Sequence, residues 1–161
     1  QEHDPVTFLA TLNRTIYQNV QRMDSEKNLT LAILNYSDRH VSISGQHEEI
    51  LIVRADSTIE SIDTMDLGMP IGLDDDITAF IDNTMVELHS GDGIVLYTDG
   101  IPEAYNLKKK QYGIARLHRT IAQHWQGNAE KVKQAVITDV RSFIGSQKIF
   151  DDITLLVLKQ Q

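Results

Sequence analysis

From Leu29 to Arg54 apolar residues gather in three short runs, and the spacing of those runs dictates how this part of the chain pairs. Leu29-Thr30-Leu31-Ala32-Ile33-Leu34-Asn35-Tyr36 reads as a strand, Ser37-Asp38-Arg39-His40 as a turn, and His40-Val41-Ser42-Ile43-Ser44 as the returning strand. Gly45-Gln46-His47 breaks the pattern before a further strand, Ile50-Leu51-Ile52-Val53-Arg54. A parallel crossover needs about a dozen residues, and none of these breaks is that long. The expected arrangement is therefore an antiparallel meander.

A different period precedes it. Asp4-Pro5 supplies a helix N-cap followed by the residue favoured at the first helical position. Leu9, Leu12, Ile16, Val20 and Met23 then recur at three and four, which predicts one amphipathic helix fading near Asp24-Ser25-Glu26-Lys27-Asn28. Downstream, Gly68-Met69-Pro70-Ile71-Gly72-Leu73 is a loop with special backbone angles. Thr84-Met85-Val86-Glu87-Leu88 leads into Gly91-Asp92-Gly93, a turn. Ile94-Val95-Leu96-Tyr97 is short, continuously apolar and partly β-branched, as in a central strand buried on both faces. Tyr112, Ile114, Leu117, Ile121 and Trp125 outline a helix ending near Gly127. Asn128 caps another, whose buried face is Val132, Ala135, Val136, Val140 and Phe143 before Gly145. Ile153 to Leu158 forms the last strand. Helix, antiparallel strands, two helices and a strand make an α+β class rather than alternating β-α units.

Composition excludes several functions. The 161 residues carry 15 Lys+Arg against 23 Asp+Glu, a net charge of −8, so no basic face is available for nucleic acid. No apolar run approaches the roughly 20 residues of a membrane helix. The absence of cysteine removes disulfides, thiolate zinc sites and Cys nucleophiles, and fits a reducing, cytoplasmic setting. Any metal must be held by oxygen or imidazole. The length suits a single domain, 1–161, and the first residue is Gln, which suggests a piece of a longer or processed chain.

Two features carry candidate chemistry. Thr98-Asp99-Gly100 directly follows the central strand: Asp99 either aims a carboxylate into a site, with Gly100 letting the backbone turn, or caps the turn around Ile101-Pro102-Glu103. Asp151-Asp152 stands just before the last strand, where two adjacent carboxylates either share a cation or are solvated in an Asx-turn. Both place acids at a strand terminus, and Mg²⁺ and Mn²⁺ prefer oxygen ligands. Asp74-Asp75-Asp76 offers carboxylates to a cation, but in a glycine-rich loop it reads rather as a solvated acidic tip. His47, in the break after Gly45, serves packing or the turn. The histidines lack H-x-H or H-E-x-x-H spacing, the serines lack a G-x-S-x-G elbow, and there is neither a P-loop nor a G-x-G-x-x-G.

Taken in order, these motifs resemble a known family. Gly91-Asp92-Gly93-Ile94-Val95-Leu96-Tyr97-Thr98-Asp99-Gly100-Ile101-Pro102-Glu103-Ala104 resembles the "GD–LYTDG–EA" block of bacterial PPM (PP2C-like) serine/threonine phosphatases of the SpoIIE/RsbU-like branch. Asp151-Asp152-Ile153-Thr154 resembles the closing "DD-x-T", Gly68-Met69-Pro70-Ile71-Gly72 the "G-x-P-L-G" loop, and Ser44-Gly45-Gln46-His47 the "A-G-H" segment. Tyr112-Gly113 with Arg116-Leu117 resembles the "F-G–RL" start of the penultimate helix. The resemblance implies an antiparallel β-sandwich flanked by helices. It also implies two Mn²⁺ or Mg²⁺ ions that activate a water for attack on phosphoserine or phosphothreonine. Carried over by motif, Asp99 and Asp151 are the catalytic metal ligands and Asp152 a further candidate ligand. Gly100, Gly72 and His47 support the site.

One departure stands out. The family carries an earlier "G-D-x-x-G-H-G" motif whose Asp bridges both metals, and only Gln1-Glu2-His3 precede the first helix here. The expectation is an N-terminally incomplete domain that alone is weakly active or inactive, with an open sheet edge through which two copies could pair. The implied partner is a phosphorylated regulatory protein of the anti-sigma-factor-antagonist type, in a full-length protein fused to sensor or receiver domains. The alternative is a non-catalytic phosphatase-like scaffold that binds a regulatory protein.

Overall fold

The computed structural model describes residues 4–24, 27–147 and 152–161, and the chain divides into two compact units, Gln1–His47 with Asp63–Glu87, and Glu48–Ile62 with Leu88–Gln161. The first unit opens with helix α1 (Pro5–Arg22), started as the sequence predicts: Pro5 at the first turn and the Asp4 carboxylate accepting the backbone N–H groups of Val6 and Thr7. Strands β1 (Leu31–Ser37) and β2 (His40–Gln46) form the expected hairpin, in the register Leu34↔Ile43. Leu9 of α1 is buried with Ile71 and Ile77, and Leu12, Ile16, Leu31 and Ile33 pack against them. Gly45 has φ +88, and a Cβ there would sit 2.3 Å from the Leu31 carbonyl oxygen, so no side chain fits at this crossing point.

The meander breaks after its second strand. The third strand of this sheet is β5 (Asn83–Glu87), paired antiparallel with β2, while β3 (Ile50–Val53) belongs to the second unit. The reason lies in the side chains. Asn83–Glu87 alternates exposed and half-buried residues, which suits a sheet edge, whereas all four residues of Ile50–Val53 are buried and need cover on both faces.

In the second unit, β4 (Ile59–Ile62), β3, β6 (Gly93–Tyr97) and β7 (Leu155–Lys159) form a four-stranded antiparallel sheet in that order. β6 is interior, as its unbroken apolar run predicts. Its Val95 pairs with Leu51 on one side and Val157 on the other. Helices α2 (Ile114–His124) and α3 (Ala129–Ile144) complete the unit. Their Leu117, Ile121, Val132, Val136, Val140 and Ile144 join Leu51, Val53, Val95 and Tyr97 in one buried cluster. Tyr112 and Trp125 also belong to it, but both flank α2 rather than lie within it. Gly113, at φ +80, stands between Tyr112 and the first turn of the helix.

Trp125 fixes how these pieces meet. It is fully buried, its indole N–H donates to the Gly91 carbonyl at 3.0 Å, and Lys159 Nζ lies 4.7 Å from its ring centroid. Lys159 Nζ also donates to the carbonyls of Trp125 and Gly127, satisfying the exposed end of α2 from the last strand. Gly93 lies beneath: a Cβ there would come within 2.0 Å of the Leu158 carbonyl oxygen and 2.9 Å of the indole.

Candidate functional site

The chain leaves the interior strand β6 at Tyr97 and turns at once. Ile101 N–H donates to Thr98 O, Glu103 N–H to Asp99 O and Ala104 N–H to Ile101 O, so residues 98–104 wind through successive tight turns. Asp99 sits at the exposed start of this path, while Gly100 and Ile101 are buried. The Asp99 carboxylate makes no hydrogen bond or ion pair with any described residue; only its backbone carbonyl is used in the turn. The turn-capping role left open by the sequence is therefore not what this side chain does. Gly100 is buried in this turn and is not among the glycines with positive φ, so the turn is made without left-handed backbone at that position.

The segment that carries the second acid is fastened to the same place. Thr98 Oγ1 donates to the Asp152 carbonyl at 2.9 Å and accepts Thr154 N–H at 3.0 Å, and Thr98 N–H donates to Thr154 O. These bonds extend the β6–β7 ladder beyond its last register pair, Tyr97↔Leu155. Asp99 and Asp152 are thus brought to one end of one strand pair, both exposed. Asp151 lies outside the described residues. The role of Thr98 is not announced by the motif that contains it; its signal in the sequence is a β-branched hydroxyl at the exit of an interior strand.

Carboxylate oxygens of this kind suit hard divalent cations, and those of Asp99 have no partner among the described residues, so the donor chemistry fits Mg²⁺ or Mn²⁺. Among the described residues, no group of three or more His, Cys, Asp or Glu side chains is assembled that could hold an ion by itself. Behind the turn the surroundings are apolar: burial, with the charges of Glu49 and Glu48, pushes the Tyr97 hydroxyl up to about 12, which keeps it neutral.

His47 and Gly72 lie in the first unit. His47 is exposed, its Nδ1 lies 2.9 Å from Thr30 Oγ1, and its backbone N–H donates to the hydroxyl of fully buried Thr64, which in turn donates to the His47 carbonyl. Gly72, at φ +87, donates its N–H to the side-chain oxygen of buried Asn13, whose amide nitrogen bonds the Asp74 and Asp75 carbonyls. The acidic tip is exposed, as expected, and Asp76 caps the following turn by accepting Thr78 N–H.

Asp92, the acid of the "GD" block, is structural. Only 3% exposed, it accepts from Arg54 Nη1, Ala55 N–H and His89 N–H, and these bonds hold its carboxyl below the usual carboxylate range against the opposing effect of burial. Arg54 meanwhile grips Glu60 with two further bonds.

Over residues 1–161 the chain matches the family described as Stage II sporulation protein E (SpoIIE). It belongs to that family. Among solved structures it resembles the SiaA-PP2C domain of Pseudomonas aeruginosa with a TM-score of 0.71, at 16% identity over 99% of this chain and 72% of that one. It resembles the serine/threonine phosphatase Stp1 of Staphylococcus aureus with a TM-score of 0.70, at 14% identity over 95% of this chain and 65% of that one. The phosphatase domain of SpoIIE from Bacillus subtilis matches with a TM-score of 0.60, at 15% identity over 99% of this chain and 74% of that one. A manganese-presoaked form of that domain matches with a TM-score of 0.61, at 16% identity over 99% and 73% of the respective chains. No curated protein matches by sequence. The mixed α/β architecture of antiparallel sheets and helices is that of PP2C-type serine/threonine phosphatase domains. Among the described residues, no helix is long and apolar enough to cross a membrane.

Proposed function

We propose that this SpoIIE-family domain belongs to a metal-dependent phosphoserine/phosphothreonine protein phosphatase of a bacterial signalling protein, acting on a phosphorylated regulator of the anti-sigma-factor-antagonist type. The observation that carries the reading is the exposed Asp99 carboxylate at the exit of the interior strand, without a partner among the described residues, and the Asp152 segment fastened beside it by Thr98. Asp99, Asp151 and Asp152 would hold Mn²⁺ or Mg²⁺. Bound there, such ions supply an activated water and neutralise charge on phosphoryl oxygens. The chain's own contribution is positional: β6 is locked in the sheet interior, so Asp99 is presented from a rigid element, and the turn after it is backed by buried Ile101.

The 161 residues contain no "G-D-x-x-G-H-G" motif, so the metal-bridging Asp expected for the family is not among them. By themselves they should bind Mn²⁺ weakly and turn over slowly. Binding of Mn²⁺ can be read from the loss of the free-ion electron paramagnetic resonance signal, for the wild-type chain and for Asp99→Asn. The expected result is an affinity loss of about tenfold or more in the variant with an unchanged circular dichroism spectrum. Equal Mn²⁺ affinity in both would refute the assignment of Asp99 and favour a scaffold without catalysis.

A further inference from the structure

The turn that carries Asp99 continues directly into a small hairpin, 102–113, whose composition is opposite to that of the chain. In a protein of net charge −8, this stretch holds Lys108, Lys109 and Lys110 in succession against the single acid Glu103. All three lysines are exposed, and none forms an ion pair with a described residue. Exposed Tyr105 and Leu107 flank them, at 40% and 66% of their full accessibility.

This hairpin is well fastened. At its base, Gly113 N–H donates to Pro102 O and Tyr112 N–H to Ala104 O, both at 2.8 Å, and Tyr105 bridges Gln111. Tyr112 anchors one leg in the core, and its hydroxyl donates to Asp139 at 2.7 Å. At the tip, Asn106 organises the lysines: its side-chain oxygen accepts the N–H groups of Lys108 and Lys110, and its backbone bonds both Lys109 and Lys110. Lys109 is held at φ +56, a conformation uncommon outside glycine. The root of the hairpin is the Asp99 turn itself, through Glu103 N–H to Asp99 O at 2.9 Å. A concentrated, preorganised positive charge beside two apolar side chains is thereby attached to the backbone of the candidate metal ligand.

We propose that the 102–113 hairpin is the docking element for the protein substrate, with Lys108, Lys109 and Lys110 meeting an acidic face next to the phosphorylated residue and Tyr105 and Leu107 supplying apolar contact. The proposal rests on the phosphatase reading and deepens it. Charge complementarity favours an acidic protein over nucleic acid: the basic region is three residues wide within an acidic chain, too short to track a phosphate backbone. Like-charge repulsion from the rest of the chain would orient an acidic partner so that it approaches through this tip.

The test is equilibrium binding in the absence of divalent ions, so that nothing is hydrolysed. Fluorescence anisotropy of the 161-residue chain is measured with two synthetic phosphoserine peptides, one flanked by Asp and Glu and one by Ser and Gln. At low salt, wild type should bind the acidic peptide about tenfold more tightly. The variant K108Q/K109Q/K110Q should lose that preference, and raising the salt should erase it in wild type. The reversed variant K108E/K109E/K110E should instead prefer a Lys-flanked phosphopeptide. Wild-type affinity for the acidic peptide in the glutamine variant would overturn the proposal. So would a single-stranded oligonucleotide or phosphatidylserine vesicles binding wild type as tightly as the acidic peptide. Failure here leaves the Mn²⁺ comparison of wild type with Asp99→Asn untouched, so docking and catalytic assignment fall separately.

Discussion

Thr98 Oγ1 donates to the Asp152 carbonyl oxygen at 2.9 Å, across 54 residues of sequence. The same oxygen accepts Thr154 N–H, so one hydroxyl ties both sides of the residues that lead into the last strand to the start of the Asp99 turn. Thr98 is on this ground a positioning residue. Thr98→Val keeps the shape and removes both bonds, and it should weaken Mn²⁺ binding by about tenfold, as supporting bonds around a metal site commonly do. Thr98→Ser, which restores the hydroxyl, should recover most of the loss. A valine variant with wild-type Mn²⁺ affinity would show that these bonds only close the sheet.

Asp139 provides a pH-dependent test of the second unit. Arg116 grips it with two bonds at 2.7 and 2.8 Å, and Tyr112 and Thr120 donate to it as well, which together hold its carboxyl at about 2. A carboxylate depressed on folding binds its proton more readily in the unfolded chain, so its stabilisation is complete above about pH 4 and is lost as pH falls through about 2. A shift of this size corresponds to about 2 kcal/mol. Asp139→Asn should therefore unfold at lower denaturant concentration than wild type at pH 7, and the gap should close near pH 2. A gap that stays constant with pH would show that the ion pair is not its source.

The features read correctly from sequence are those whose signal is local. Asp4-Pro5 announces α1 because cap and first turn are neighbours, and Ile94 to Tyr97 announces an interior strand because every residue is apolar. The features missed depend on partners far along the chain. Asn13 reaches Asp74, Arg54 reaches Asp92 and Thr98 reaches Asp152, separations of 61, 38 and 54 residues that no window along the chain contains. β4 escaped for another reason: Ile59-Glu60-Ser61-Ile62 is four residues long with its middle exposed, too short to show a period. The transfer of β3 to another sheet was legible in principle, since four consecutive buried residues cannot occupy an edge, yet short connections suggested a continuous meander.

Asn13 lies on the buried face of α1 and has every polar atom of its amide used: oxygen to Gly72 N–H at 2.8 Å, nitrogen to the Asp74 and Asp75 carbonyls. Asn13→Leu would fill similar space while orphaning a buried N–H. The cost should be about 2 to 3 kcal/mol, with increased amide exchange confined to the 72–76 loop. Unchanged exchange at Gly72 would contradict the role assigned to this side chain.

The last prediction concerns β7, the edge of the four-stranded sheet. Leu155 and Val157 pack toward the core cluster, whereas Leu156 and Leu158 remain 48% and 47% exposed on the other face. Edge strands are commonly protected by a lysine pointing into solvent. Here Lys159 cannot serve, because its ammonium is bound to the Trp125 and Gly127 carbonyls. An apolar edge without such protection offers unmatched backbone groups and leucines to a second copy. Light scattering of the 161-residue chain should show self-association rising with concentration, and Leu158→Lys should suppress it without lowering the melting temperature. A wild-type chain that stays monomeric at high concentration would rule out pairing through this edge.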